Sequence, residues 1–255
     1  MSDLLIEKEG AVLTLCLNRP ENLNAFSAEM IRKLTKTFQE AQLDEEVRVI
    51  VLKGSGRSFS AGGDVKTMGT TTGTQVYEHI GQLNECIKAM TELEKPIIAA
   101  VHGFAAGAAF NLALACDMIY ASDDSKFVMS FSQVGLISDG GGLHFLPKII
   151  GPYRAKELFF SAKPITAQKA YEYGIVNELI PLDELSNRVA TIANELSHGA
   201  VRAYGLMKKI INSPGSLENV LEIERITQTY MIQTEDHKEG VKAFKEKRKP
   251  QFKGK

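Results

Sequence analysis

Residues 97–116, IIAAVHGFAAGAAFNLALAC, constrain the fold more than any other part of the chain. A run of about twenty nearly apolar residues matches the length of a membrane-spanning helix. Here His102 and Gly103 interrupt the run, Asn111 adds a polar amide, and Lys95-Pro96 and Asp117 bracket it. A break at His102-Gly103 leaves two short segments, which suits a buried strand, a tight glycine turn and a buried helix in a soluble core.

The flanking segments agree with that reading. Residues 4–8 and 12–17 are β-type runs around Glu9-Gly10, a hairpin-like pair. Ser27 stands where it caps a helix whose apolar positions Met30, Ile31, Leu34, Phe38 and Ala41 follow helical spacing. Residues 47–52, VRVIVL, read as a buried strand running into the glycine-rich loop GSGRSFSAGGD. Val76, Ile80, Leu83, Ile87 and Met90 mark a second amphipathic helix, and TTTGT at 70–74 before it reads as a mobile loop. Further strands are expected at 97–101, 117–121, 126–131 and 175–180. Helices are expected from about Gly107, from the SDGGG turn through Phe145, and between a Thr166 cap and Gly174. From Leu182 helical segments dominate. The order is α/β, with residues 1–195 as the core and 196–255 as a helical C-terminal region.

Composition narrows the function classes. The 255 residues are enough to bury a sizeable core. Thirty basic against 31 acidic side chains give a net charge of −1, which excludes a global basic field for nucleic acid or anionic membrane. Cys16, Cys86 and Cys116 are far apart, odd in number and without a CxxC pair. A disulfide framework or thiolate metal site is therefore not indicated, and a reducing, cytoplasmic compartment is the simplest reading. The N-terminus MSDLLIEKEG lacks a basic start followed by an apolar stretch, so no signal peptide is visible.

Three glycine-rich turns follow expected strands, at 58–64, 102–108 and 138–142. Such turns leave backbone N–H groups free, and two converging on one oxygen would form an oxyanion hole; glycine turns at strand ends are also common as plain structure. GSG at 54–56 is not a P-loop, no GxGxxG follows a strand, and there is no GxSxG or HExxH. His102 and His144 receive no role. Asp139 has two readings. Before a run of glycines and a helix it is a good N-cap, which local sequence favours. Between Leu136-Ile137 and Leu143 it is also a carboxylate whose desolvation would suit it to proton transfer.

At this point the chain resembles a known family. LNRPENLNAF (17–26), FSAGGDVKTM (59–68), the run at 95–122, KFVMSFSQVGLISDGGGLHFLPKIIG (126–151) and AQKAYEYGIVNELIP (167–181) look like successive blocks of the crotonase superfamily, the enoyl-CoA hydratases and isomerases. DHKEGVKAFKEKRKPQF (236–252) is similar to the family's C-terminal segment. The resemblance implies a crotonase-like spiral of ββα units followed by a helical trimerisation region, in trimers or dimers of trimers. It implies acyl-CoA thioester substrates, with coenzyme A as part of the substrate and no metal or redox cofactor. The two oxyanion N–H groups fall on Gly63 and Ala108. Asn22, Leu23, Asn24, Ala25, Ala61, Asp64 and Val65 would line the coenzyme A path, with Lys66 as a phosphate partner. Phe244 and Lys247 would reach the nucleotide of a neighbouring subunit. Without the family, Lys66 and Lys247 read as solvated lysines.

The resemblance also has departures. The positions of the two glutamates that hold water in hydratases are Asn111 and Phe131 here, neither of which is a general base. They remain candidate substrate contacts. Asp139 matches the single acid of some isomerases of the family, and the FVMxFSxxGLIxD run is similar to the 1,2-epoxyphenylacetyl-CoA isomerase type. Ser138 stands where a proline is usual. The expectation is an enoyl-CoA isomerase with Asp139 as acid and base. The alternatives are a hydratase with atypical residues and a non-catalytic acyl-CoA-binding subunit.

Overall fold

The computed structural model describes residues 2–64, 71–213 and 215–255. Strands β1 (Leu4–Glu9) and β2 (Val12–Leu17) pair antiparallel across a turn in which Gly10 has φ +55°. Helix α1 (Ala28–Leu43) starts at Ser27, whose hydroxyl accepts the Met30 N–H. Strand β3 (Val49–Gly54), helix α2 (Gly73–Glu92) and strand β4 (Ile97–Val101) follow. All of β4 is buried, and its alternate residues enter two different cores. Ile50, Leu52, Ile97, Ala99 and Val101 pack with α1 and α2. Val49, Val51, Ile98 and Ala100 pack with Leu185, Val189, Ile192 and Ala193 of a later helix, Leu182–Ser197. A strand covered on both faces reads as a continuous apolar run, as this one does.

Beyond β4 come β5 (Phe104–Ala106), α3 (Ala108–Leu114), β6 (Met118–Ser122) and β7 (Lys126–Val128). After a 3-10 turn at Ser130–Val134 come α4 (Gly142–Ile150), α5 (Pro152–Ser161), β8 (Ile165–Thr166), α6 (Ala167–Glu172) and β9 (Glu178–Ile180). The large sheet has the order β1-β2-β3-β4-β6-β9, parallel from β2 onward. The small sheet is β5-β7-β8, and Ser60 bridges to Ala105 beside it. The chain therefore repeats a strand of the large sheet, a short segment along the small sheet, and a helix: a spiral of ββα units.

Several boundaries differ from expectation for local reasons. The strand expected at 126–131 ends at Val128, because the chain turns into the 3-10 segment. The helix after SDGGG runs on past Phe145 to Ile150. Helix α5, with Pro152 in its first turn, was not anticipated. The strand expected at 175–180 keeps only its last three residues. The threonines before α2 are not all loop: Thr72 and Gln75 form a capping box on α2, with Thr72 Oγ1 accepting the Gln75 N–H. Thr70 lies outside the described residues.

Helices α7 (Leu182–Ser197), α8 (Val201–Asn212), α9 (Leu217–Met231) and α10 (Glu235–Lys245) complete the chain. The boundary expected at 195/196 falls in the last turn of α7, whose apolar face covers the large sheet. Helix α8 is fastened to the core by buried Lys208, which donates to Asp117 Oδ2 at 2.9 Å and to the Lys95 carbonyl at 3.3 Å. No helix among the described residues is long and apolar enough to cross a membrane. The apolar run at 97–116 divides into β4, β5 and α3.

Candidate active site

Two glycine loops are zipped together by main-chain bonds. The Phe59 N–H donates to His102 O at 2.7 Å, the Ser60 N–H to Phe104 O at 3.0 Å, and the Ala106 N–H to Ser60 O at 3.1 Å. The contact continues at Gly62, which has φ +81°. A Cβ there would lie 2.3 Å from Ala106 O and 3.0 Å from Ala108 N, so only glycine permits this approach. The Phe26 N–H holds Gly62 O at 2.7 Å. These bonds bring Gly63 beside the start of α3. Ala108 is the first residue of that helix, so its N–H has no partner within the helix. Neither the Gly63 nor the Ala108 N–H meets an acceptor among the described residues.

Asp139 lies on the turn before α4. The capping expectation fails: Gly141, with φ +84°, occupies the N-cap position and no side chain caps the helix. Asp139 Oδ1 is buried without a hydrogen-bond partner among the described residues. Burial pushes the carboxyl pKa up, opposed by the charge of His79 on α2 and by the residue's own backbone N–H. Asn111 holds the turn. Its Nδ2 donates to the Asp139 carbonyl at 2.7 Å and to Ser138 Oγ at 2.9 Å. Asn111 is three residues after Ala108 on α3, about 4.5 Å along the helix axis on the same side. Gly140 packs on Leu83 of α2 and on Asn111, and the Phe131 ring packs on Gly107.

The other expected contacts divide. Leu23 O accepts the Ala61 N–H at 2.8 Å, which joins the 22–25 segment to the glycine loop. Asn22 and Leu23 are half-buried and Ala25 is buried. The Asn24 side chain is not a ligand contact but scaffold: it is wholly buried, donating to Ser55 O and Ser58 O and accepting the Arg19 N–H, each at 2.8 Å. Asp64 pairs with Arg19 at 3.5 Å. Val65 and Lys66 lie outside the described residues. Phe244, exposed on α10, lines a cavity of about 450 Å³ with Met231, Val241 and Phe252, and Lys247 follows that helix; that cavity includes none of Gly63, Ala108 or Asp139. His144 is exposed beside Lys148. A groove of about 1380 Å³ lies between the strands around Thr14 and Lys53 and helix α7, and its lining includes none of Gly63, Ala108 or Asp139. Sequence reasoning missed His79, whose charge acts on the acid. For His79 the signal was present, since it precedes Leu83 by four residues on the apolar stripe of α2.

A ββα spiral with a helical tail, carrying a partly desolvated acid near the start of a buried helix, is the architecture that the comparisons with known proteins match. Residues 7–255 match the family model described as enoyl-CoA hydratase/isomerase. The chain is 36% identical over 262 residues to the 1,2-epoxyphenylacetyl-CoA isomerase of Escherichia coli (strain K12), covering 100% of both chains. It is 34% identical to the short-chain-enoyl-CoA hydratase of Clostridium acetobutylicum, over 98% of this chain and 97% of that one. The crystal structure of an enoyl-CoA hydratase from Bacillus anthracis superposes with a TM-score of 0.95 at 30% identity, over 99% and 100% of the two chains. The chain belongs to the enoyl-CoA hydratase/isomerase family of the crotonase superfamily.

Proposed function

We propose that the protein is an enoyl-CoA isomerase that moves a carbon–carbon double bond through an enolate, with Asp139 as the single acid and base. The observation that carries this reading is the buried, unpartnered Asp139 Oδ1 on the turn that Asn111 ties to α3. The thioester oxygen sits on the Gly63 and Ala108 N–H groups. Asp139 takes a proton from C2 of a 3-enoyl-CoA. The electron pair delocalises as a dienolate whose charge rests on that oxygen. The same carboxyl returns the proton at C4, leaving the conjugated 2-enoyl-CoA. Each oxyanion donor is worth about 10²–10³ in rate, and a positioned acid–base group about 10²–10⁴. No resident cofactor enters this cycle.

An amide at 111 and an apolar ring at 131 favour isomerisation over hydration, since neither activates water. The hydratase reading is kept because relatives such as the Clostridium acetobutylicum protein carry that name. The expected assembly is a trimer or a dimer of trimers, in the cytoplasm. The experiment is a panel of 2-enoyl, 3-enoyl and ring-epoxide CoA thioesters followed by absorbance and mass. Isomerisation gives a new conjugated chromophore at unchanged mass, and hydration adds the mass of water. Isomerisation that survives Asp139→Ala at near the wild-type rate refutes the assignment. Strong hydration of crotonyl-CoA lost in Asp139→Asn makes the protein a one-carboxylate hydratase. Tight acyl-CoA binding with no turnover makes it a binding subunit.

A further inference from the structure

Asn111 has the burial and hydrogen bonding of a clamp. It is wholly buried, and both N–H groups of its amide are spent, on the Asp139 carbonyl and on Ser138 Oγ. Its Oδ1 is shut off from solvent with no hydrogen-bond partner among the described residues and faces the first residue of α4, where a Cβ on Gly142 would lie 2.1 Å from it. No donor of Asn111 remains for a substrate. The turn at 138–142 carries left-handed glycines at 140 and 141. Such a turn needs an external tie to keep one conformation.

We propose that Asn111 is a positioning residue, whose amide clamps the carbonyl of Asp139 and the hydroxyl of Ser138 and thereby aims the Asp139 carboxyl, without touching substrate itself. This rests on the reading of Asp139 as the acid. The clamp fixes the acid relative to Ala108 because residues 108 and 111 share one helix. It thus sets the spacing between the proton-transfer group and the oxyanion donor. Among the described residues, the titratable group that acts on Asp139 is His79 on α2. Helix α3 carries none, and His144 of α4 is occupied with Lys148.

The test compares Asn111→Ala, Gly142→Ala and Asp139→Asn by isomerisation kinetics across pH and by thermal melting. Gly142→Ala presses on the Asn111 amide without altering residue 111, and it serves if Asn111→Ala fails to fold. A misplacement near 1 Å costs about 10²-fold. Both clamp variants should therefore lose roughly 10- to 100-fold in kcat with KM nearly unchanged. The midpoint of the kcat–pH profile should move down, as the loosened carboxyl gains water. A folded variant of either kind with wild-type kcat and pH midpoint overturns the proposal. So does a raised KM at unchanged kcat, which would make Asn111 a substrate contact. If Asp139→Asn keeps wild-type kcat, the reading of Asp139 as the acid fails and the clamp's purpose fails with it. If only Asp139→Asn is inactive, the clamp alone is refuted.

Discussion

Gly62→Ala tests whether the contact between the two glycine loops builds the oxyanion site. The new Cβ would stand 2.3 Å from Ala106 O, where side-chain contacts stay beyond 3.0 Å, so the loops must part by roughly 0.7 Å. Ala108 N lies on the same contact at 3.0 Å, so the separation falls directly on the donor pair. An alanine at φ +81° costs about 1–2 kcal/mol in backbone strain, and the overpacking a further 1–3 kcal/mol or so. For catalysis, spoiling one donor costs about 10²–10³ in kcat. The control is Gly10→Ala, at φ +55° with nothing within 4 Å of the added carbon. It should show the strain alone, a lower melting temperature with wild-type kcat. Steady-state kinetics on a 3-enoyl-CoA and thermal melts of both variants decide the matter. If Gly62→Ala remains folded and turns over as fast as Gly10→Ala, the loop contact does not set the donors and the reasoning is wrong.

Two further outcomes follow from buried charge. Burial raises the folded pKa of Asp139 above its ordinary value of 3.8, so the unfolded chain releases that proton first and stability falls as pH rises through the window above 3.8. Asp139→Asn should therefore melt higher than wild type at pH 8, by roughly 1 kcal/mol, the low end for an unpaired buried polar group, with the gap closing near pH 4; an unchanged gap refutes the desolvation argument. Lys208→Met strands Asp117 without its cation, a loss of about 3–5 kcal/mol for a fully buried pair and less here because the carboxylate keeps the Ile97 N–H at 2.7 Å. Burial already raises the Asp117 pKa, so protonation at low pH should shrink the deficit in urea melts between pH 8 and pH 5, and an equal deficit at both refutes the pairing.

Where a segment buries one face, its periodicity was readable. Helices α1 and α2 and the hairpin β1–β2 stand close to where residue spacing puts them. The small sheet was not readable, because β5 and β8 are three and two residues long and have no period to detect. The start of α3 was found through its glycine, since a helix buried at every position has no polar face. Asp139 shows the limit of local reading. The same Asp-Gly-Gly-Gly string caps a helix or presents an acid, and the choice is made by Gly141 taking the N-cap and by Asn111, twenty-eight residues away, holding the carbonyl. For Asn24 nothing local told that its side-chain amide would be absorbed by Ser55 and Ser58 across the loop.

All seven residues of α3 are shut away from solvent. A segment with no wet side has no cheap local excursion, because fraying it would uncover apolar surface on every flank at once. The Ala108 N–H and the Asn111 amide that it carries are thus as durable as the core around them. Heating has no softer step within that helix, and tuning this protein for cold activity would have to begin elsewhere, in the glycine turn that bears Asp139.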